Sequence, residues 1–148
     1  MISRLGISLV FLLIATSVSW ATNPIGQVKT TSGDVWVIHK GRPQLVGMGA
    51  LVYEQDTFTT SHDGSLGVTF IDNSTLSLGA LSRLTVDKFA YDPVEDNQGL
   101  SFSLVAGLLA YVSGDIVKSR PGSASIVTPT ATIGIRGTRF VVRAGDPK

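Results

Sequence analysis

Few side chains in this sequence have a type and spacing that could do chemistry. There are two histidines, His39 and His62, and no cysteine. A zinc centre takes three or four ligands from His, Cys and carboxylates. Neither histidine sits in a His-Glu-x-x-His frame or has a paired ligand at metal spacing. Each reads as a surface or turn residue, and no metal is expected. The lack of Cys removes thiolate nucleophiles, disulfides and thiolate metal sites together. No Gly-x-Ser-x-Gly elbow is present to hold a hydrolase serine. Gly47-Met48-Gly49 lacks the third glycine and the following helix of a nucleotide loop. Asp92, Glu95, Asp96 and Asn97 form an acidic loop. They lack the twelve-residue order of an EF-hand, so the 92–99 loop reads as solvated, with calcium binding left open. The expectation is a protein with no catalytic residue and no cofactor, and not an enzyme.

Composition narrows the class. The chain has 148 residues, a formal net charge of +1 and 43% hydrophobic residues. Only 16% are charged, against about a quarter in an average soluble domain. A strongly basic nucleic-acid binder and an acidic solvating tail are both excluded. Bulk disorder is excluded as well, because it needs low hydrophobicity and high net charge.

The first 21 residues have the layout of an export signal. Arg4 supplies the positive charge, Leu5 to Val18 is almost wholly apolar, and Ser19-Trp20-Ala21 puts small residues where a signal peptidase reads. Cleavage after Ala21 is expected, with a periplasmic or secreted product. Without Arg4, basic and acidic residues are equal in number. No second apolar run reaches spanning length, so no membrane span is expected after cleavage, and no Cys is present to be lipidated.

The remainder alternates with a period of two. Leu66, Val68 and Phe70 share one face, as do Leu76 and Leu78, Leu84 and Val86, and Phe102 and Leu104. Further runs are Val35 to Ile38, Leu108 to Val112, Ala124 to Thr128, Ala131 to Ile135 and Thr138 to Val142. Turn chemistry separates them, as at Ser32-Gly33-Asp34, His62-Asp63-Gly64 and Asp72-Asn73-Ser74. Polar loops follow Asp92-Pro93 and span Ser113 to Ser123. No stretch keeps a 3.6-residue period over three turns. The predicted fold is all-β: short stacked strands forming a twisted two-sheet sandwich or a β-solenoid-like domain. Residues 22–32 are expected to be a short lead-in and 33–148 the domain.

One motif carries a resemblance. The segment Val127-Thr128-Pro129-Thr130-Ala131-Thr132-Ile133-Gly134-Ile135-Arg136-Gly137-Thr138-Arg139-Phe140-Val141-Val142 resembles the hallmark of FecR-type domains. These have a strand ending in Thr-Pro, a small residue, then an apolar-Arg-Gly-Thr-x-Phe-apolar strand. Upstream, Gly33-Asp34-Val35, Gly49, Leu51, Asp56, Phe58, Thr60, Val68, Phe70, Asp72, Leu76, Leu78, Ser82 and Gly107 follow in family order. The resemblance covers about Gly33 to Val142. The residues Thr128, Pro129, Ala131, Gly134, Arg136, Gly137, Thr138 and Phe140 read as mainly architectural. Pro129 cannot donate to a ladder and marks a strand boundary or edge. Gly134 and Gly137 permit a bulge or close backbone approach. Thr138 can bond nearby backbone, and Phe140 and Val142 anchor the last strand. Arg136 either holds a carboxylate or carbonyl or faces solvent.

The resemblance implies an inner-membrane signal transducer, with a cytoplasmic sigma-binding part and a periplasmic part that hears a receptor. Only four residues precede the apolar segment here, and the chain ends soon after the motif. The expectation is therefore a free-standing exported FecR-type domain. Its expected role is a non-catalytic protein-interaction or sensory-accessory module of the bacterial envelope, with a protein partner of unknown identity. The alternatives are a structural cell-surface or polysaccharide-associated β protein and, more remotely, a carbohydrate-acting or carbohydrate-binding one.

Overall fold

The structure, a computed structural model, describes residues 22–95 and 97–145. The expected signal segment 1–21 and Asp96 lie outside the described residues. The strands are β1 (Gly26–Ser32), β2 (Val35–His39), β3 (Arg42–Leu45), β4 (Leu51–Val52), β5 (Thr57–Thr60) and β6 (Ser65–Phe70). They continue with β7 (Thr75–Leu78), β8 (Arg83–Ala90), β9 (Gly99–Val112), β10 (Ala124–Val127), β11 (Thr132–Ile135) and β12 (Arg139–Ala144). One short helix, α1 (Asp115–Ser119), interrupts them. The all-β expectation holds. The loop expected at Ser113 to Ser123 contains this helical turn, whose Ile116 and Val117 are buried. Two apolar residues were too few to register as a helical period.

The strands form a single curled sheet, built mostly from antiparallel pairs. Its two halves share β9. Residues Gly99–Ala106 pair with β8, and Leu100–Ser103 also pair, in parallel, with β10. Residues Leu109–Val112 pair with β7, and Gly107–Val112 with β12. The half containing β9's start runs β3-β2-β5-β8-β9-β10-β11, and the other half runs β12-β9-β7-β6-β1-β4. The sandwich expected from sequence is thus one sheet folded over through a shared strand. Residues 22–32, expected as a lead-in, contain β1, which lies between β4 and β6. Its Val28 is buried.

Both halves face one core, along which aromatic rings connect. Phe70 stacks on Phe89 at 5.1 Å and meets Phe102 at 5.7 Å. Phe102 packs edge-on to Tyr111 at 5.8 Å, and Tyr111 meets Phe140 at 5.3 Å. A fully buried side chain of this size contributes roughly 1.5–3 kcal/mol, so this aromatic line is a main source of stability. The burial of Leu66, Val68, Phe70, Leu76, Leu78, Leu84, Val86, Phe102 and Leu104 follows the alternation read from sequence.

Candidate functional site

The family-type motif lies where the chain passes from one half of the sheet to the other. Thr128 to Ala131 is the turn of the β10–β11 hairpin. The Thr128 N–H donates to the Ala131 carbonyl at 2.8 Å, and the Thr128 hydroxyl accepts the Ala131 N–H at 3.1 Å. Pro129 sits exposed at the tip, where its missing N–H costs nothing. Arg136-Gly137-Thr138 then crosses from β11 to β12. Gly137 has φ +112°, which L side chains rarely adopt, and open space around it. Its requirement is conformational and does not come from crowding.

The crossing is clamped by Ser113, a buried residue just past β9. Its hydroxyl donates to the Gly137 carbonyl at 2.7 Å, and its N–H donates to the Thr138 carbonyl at 2.8 Å. Thr138 therefore contributes a carbonyl, and its exposed hydroxyl makes no hydrogen bond among the described residues. Arg136 is exposed and has no ion pair among the described residues; its guanidinium lies beside Gly122. The solvent-facing reading of Arg136 is the one observed. Gly134 departs from expectation. It lies in regular pairing opposite Ser125, with ordinary φ and nothing within 4 Å of a would-be Cβ. Neither a bulge nor close approach explains it. Phe140 and Val142 are half-buried against the core, with buried Ala144 beyond them.

Four other family-order residues, Thr60, Ser82, Gly107 and Asp72, sit at two junctions that spacing alone could not reveal. At the first, buried Ser82 accepts the Leu108 N–H at 3.0 Å and donates to the Gly79 carbonyl at 2.9 Å. The Thr60 hydroxyl donates to the same Gly79 carbonyl at 2.7 Å and accepts the Ser82 N–H at 2.9 Å. At the second, fully buried Asp72 accepts both the N–H and the hydroxyl of Ser74 and, across 44 residues, the Ile116 N–H at 3.3 Å. Its carbonyl accepts the Asp115 N–H at 2.8 Å. Asp72 thus caps α1 from a distance, since Gly114 at the helix start has no side chain to do so. The nearby Tyr111 hydroxyl is buried without a hydrogen-bond partner among the described residues, and burial pushes its pKa up.

One polar pair escaped the sequence reading. His39 Nδ1 lies 2.5 Å from the carboxylate of Asp56, which is 2% exposed and also accepts the Tyr53 N–H at 2.9 Å. The pairing of β2 with β5 brings them together: the register Ile38↔Thr57 places His39 and Asp56 next along. The Tyr53 ring packs on His39 at 4.8 Å, beside a groove of about 340 Å³. His62 is exposed in its turn. In the acidic loop, Asp92 accepts the N–H groups of Val94 and Glu95, and those bonds lower its pKa. That carboxylate closes its own turn. Among the described residues no three His, Cys, Asp or Glu gather as a metal site.

The buried Thr60, Asp72, Ser74, Ser82 and Ser113 side chains are spent on fixing turns and strand corners, so the fold and motif define an all-β domain of architectural polar junctions. The family model described as FecR protein matches residues 56–148, and the chain belongs to that family. The match begins at Asp56, so β1 to β4 precede it. No curated protein and no solved structure matches the chain. Among the described residues no helix is long and apolar enough to cross a membrane.

Proposed function

We propose that this chain is an exported, non-catalytic FecR-type module of the bacterial envelope that acts by contacting another envelope protein. Membership of the FecR family, whose context is envelope signalling, carries the reading. Two surface features agree with a contact role. Arg136 projects from the crossing, and β12 leaves Arg139, Val141 and Arg143 exposed along a strand that, among the described residues, pairs with β9 alone. An edge strand presents unpaired backbone groups to a partner. Export rests on the apolar Leu5 to Val18 segment followed by Ser19-Trp20-Ala21.

Photo-cross-linking in intact cells tests the contact. A cross-linker at Arg136 or Val141 should yield one product of defined mass, and a cross-linker at Lys40, on the far hairpin, should not. No product from either position would overturn the interaction reading. Export is checked by N-terminal sequencing of the osmotic-shock fraction, which should begin at Thr22. Intact Met1 in washed membranes would refute cleavage.

A further inference from the structure

We propose that the outward face of the β3-β2-β5-β8-β9-β10-β11 half binds an anionic polysaccharide laid across its strands. Strand register assembles this face. Ile38, Thr57, Thr85 and Ser103 form one row on four neighbouring strands. Trp36, Thr59 and Arg83 form the row beside it. Strands lie about 4.8 Å apart, close to the length of one sugar unit, so successive sugars of an extended chain meet successive strands.

The hydroxyls are held in place by one another. Thr57 and Thr85 oxygens are 2.8 Å apart, Ser125 donates to Ser101 at 3.3 Å, and Ser103 donates to the Asp87 carboxylate. All of these side chains remain part-exposed. A hydroxyl has one donor and two acceptor sites, so each keeps capacity for a sugar hydroxyl. Trp36 is 46% exposed in its row, which leaves an indole face free to stack on a sugar ring.

The charge on the face selects the ligand. Arg83 and Lys88 are exposed along β8 and have no ion pair among the described residues. Neither row contains a carboxylate, and Asp87, next to Lys88 on β8, is engaged by Ser103. The face is therefore net positive and suits sugar carboxylates. Its exposed apolar side chains flank the hydroxyl rows, Leu45 beside Trp36 at one end and Val127 beside Ser103 at the other, and it lacks the basic stripe of a nucleic-acid site.

Gly134 gains a reason. Glycine weakens a strand, and neither φ nor crowding requires it here. It lies on this face opposite Ser125, which lies opposite Ser101. A methyl there would meet nothing within 4 Å, but a long side chain would extend over the face beside those hydroxyls. A face that is only solvated needs neither this flatness nor a half-exposed tryptophan.

Affinity electrophoresis of the full chain tests the proposal, with native gels containing alginate or neutral dextran. Alginate should retard the protein and dextran should not. Trp36→Ala and Arg83→Gln should each weaken binding about tenfold, equal to about 1.4 kcal/mol. Gly134→Glu should abolish retardation while leaving the circular dichroism spectrum unchanged. Lys29→Gln, on β1 in the other half of the sheet, should bind as the parent does. No retardation by alginate, equal retardation by dextran, or equal loss with Lys29→Gln and Arg83→Gln would overturn the proposal. Each of those results leaves the cross-linking test of the protein contact unaffected.

Discussion

A methyl group on Gly107 would lie 2.1 Å from the hydroxyl oxygen of Ser82. The two residues lock the corner at which β9 passes from one half of the sheet to the other. Gly107 also has φ +98°, which adds backbone strain for any other residue. Gly107→Ala should destabilise the fold by more than about 3 kcal/mol. Thermal melts check this; a midpoint within a few degrees of the parent would show that the corner relaxes.

The junction at Asp72 should be as demanding. A Cβ on Gly114 would meet the Asp72 carbonyl oxygen at 2.2 Å, so Gly114→Ala must push α1 off the β6–β7 turn. Asp72→Asn keeps the shape and replaces one acceptor oxygen by a donor. It then faces either the Ser74 donors or the Ile116 N–H with the wrong polarity. The expected cost is about 1–3 kcal/mol, measured by urea unfolding.

Gly137→Val should destabilise more than Arg136→Ala. The valine is forced to φ +112°, a strain of order 1–3 kcal/mol. Arg136 is exposed and unpaired among the described residues, so its truncation should stay within about 0.5 kcal/mol. Melts of the two variants give the order directly. The reverse order would mean a charge network at the crossing.

Tyr111→Phe should stabilise the protein by about 1 kcal/mol, because it removes a buried hydroxyl that has no hydrogen-bond partner among the described residues. The same hydroxyl sets an alkaline limit. Its folded pKa is raised, chiefly by burial, so the folded state holds the proton more tightly than the unfolded chain. Its contribution is complete below the unfolded value of about 10 and is lost as pH rises above it. Stability measured from pH 8 to 12 should fall above about pH 10 in the parent and fall less in Tyr111→Phe.

The sequence by itself determined the strand class and most of the core. Alternation at Leu66, Val68, Phe70, Leu76, Leu78, Leu84 and Val86 follows from a period of two with one buried face, a purely local property. The turns at Gly33, with φ +60°, and at Asn73, with φ +64°, were legible for the same reason. Pro129 lies between β10 and β11, and its missing N–H is a local fact that the sequence carries. Tertiary structure alone decided how these pieces join. Phe102 and Leu104 point inward at even positions, whereas Leu109 and Tyr111 do so at odd ones. That slip, centred on Gly107, made one 14-residue strand look like two. β1 went unseen because its inward pattern fades after Val28, and it is held by its neighbours β4 and β6. The His39–Asp56 pair, the Asp72 cap on α1 and the Ser113 clamp join residues 17, 44 and 24 positions apart. Single-sequence periodicity has no signal at such separations. Only the strand register, set by burying both halves of the sheet on one core, brings those groups within hydrogen-bonding distance.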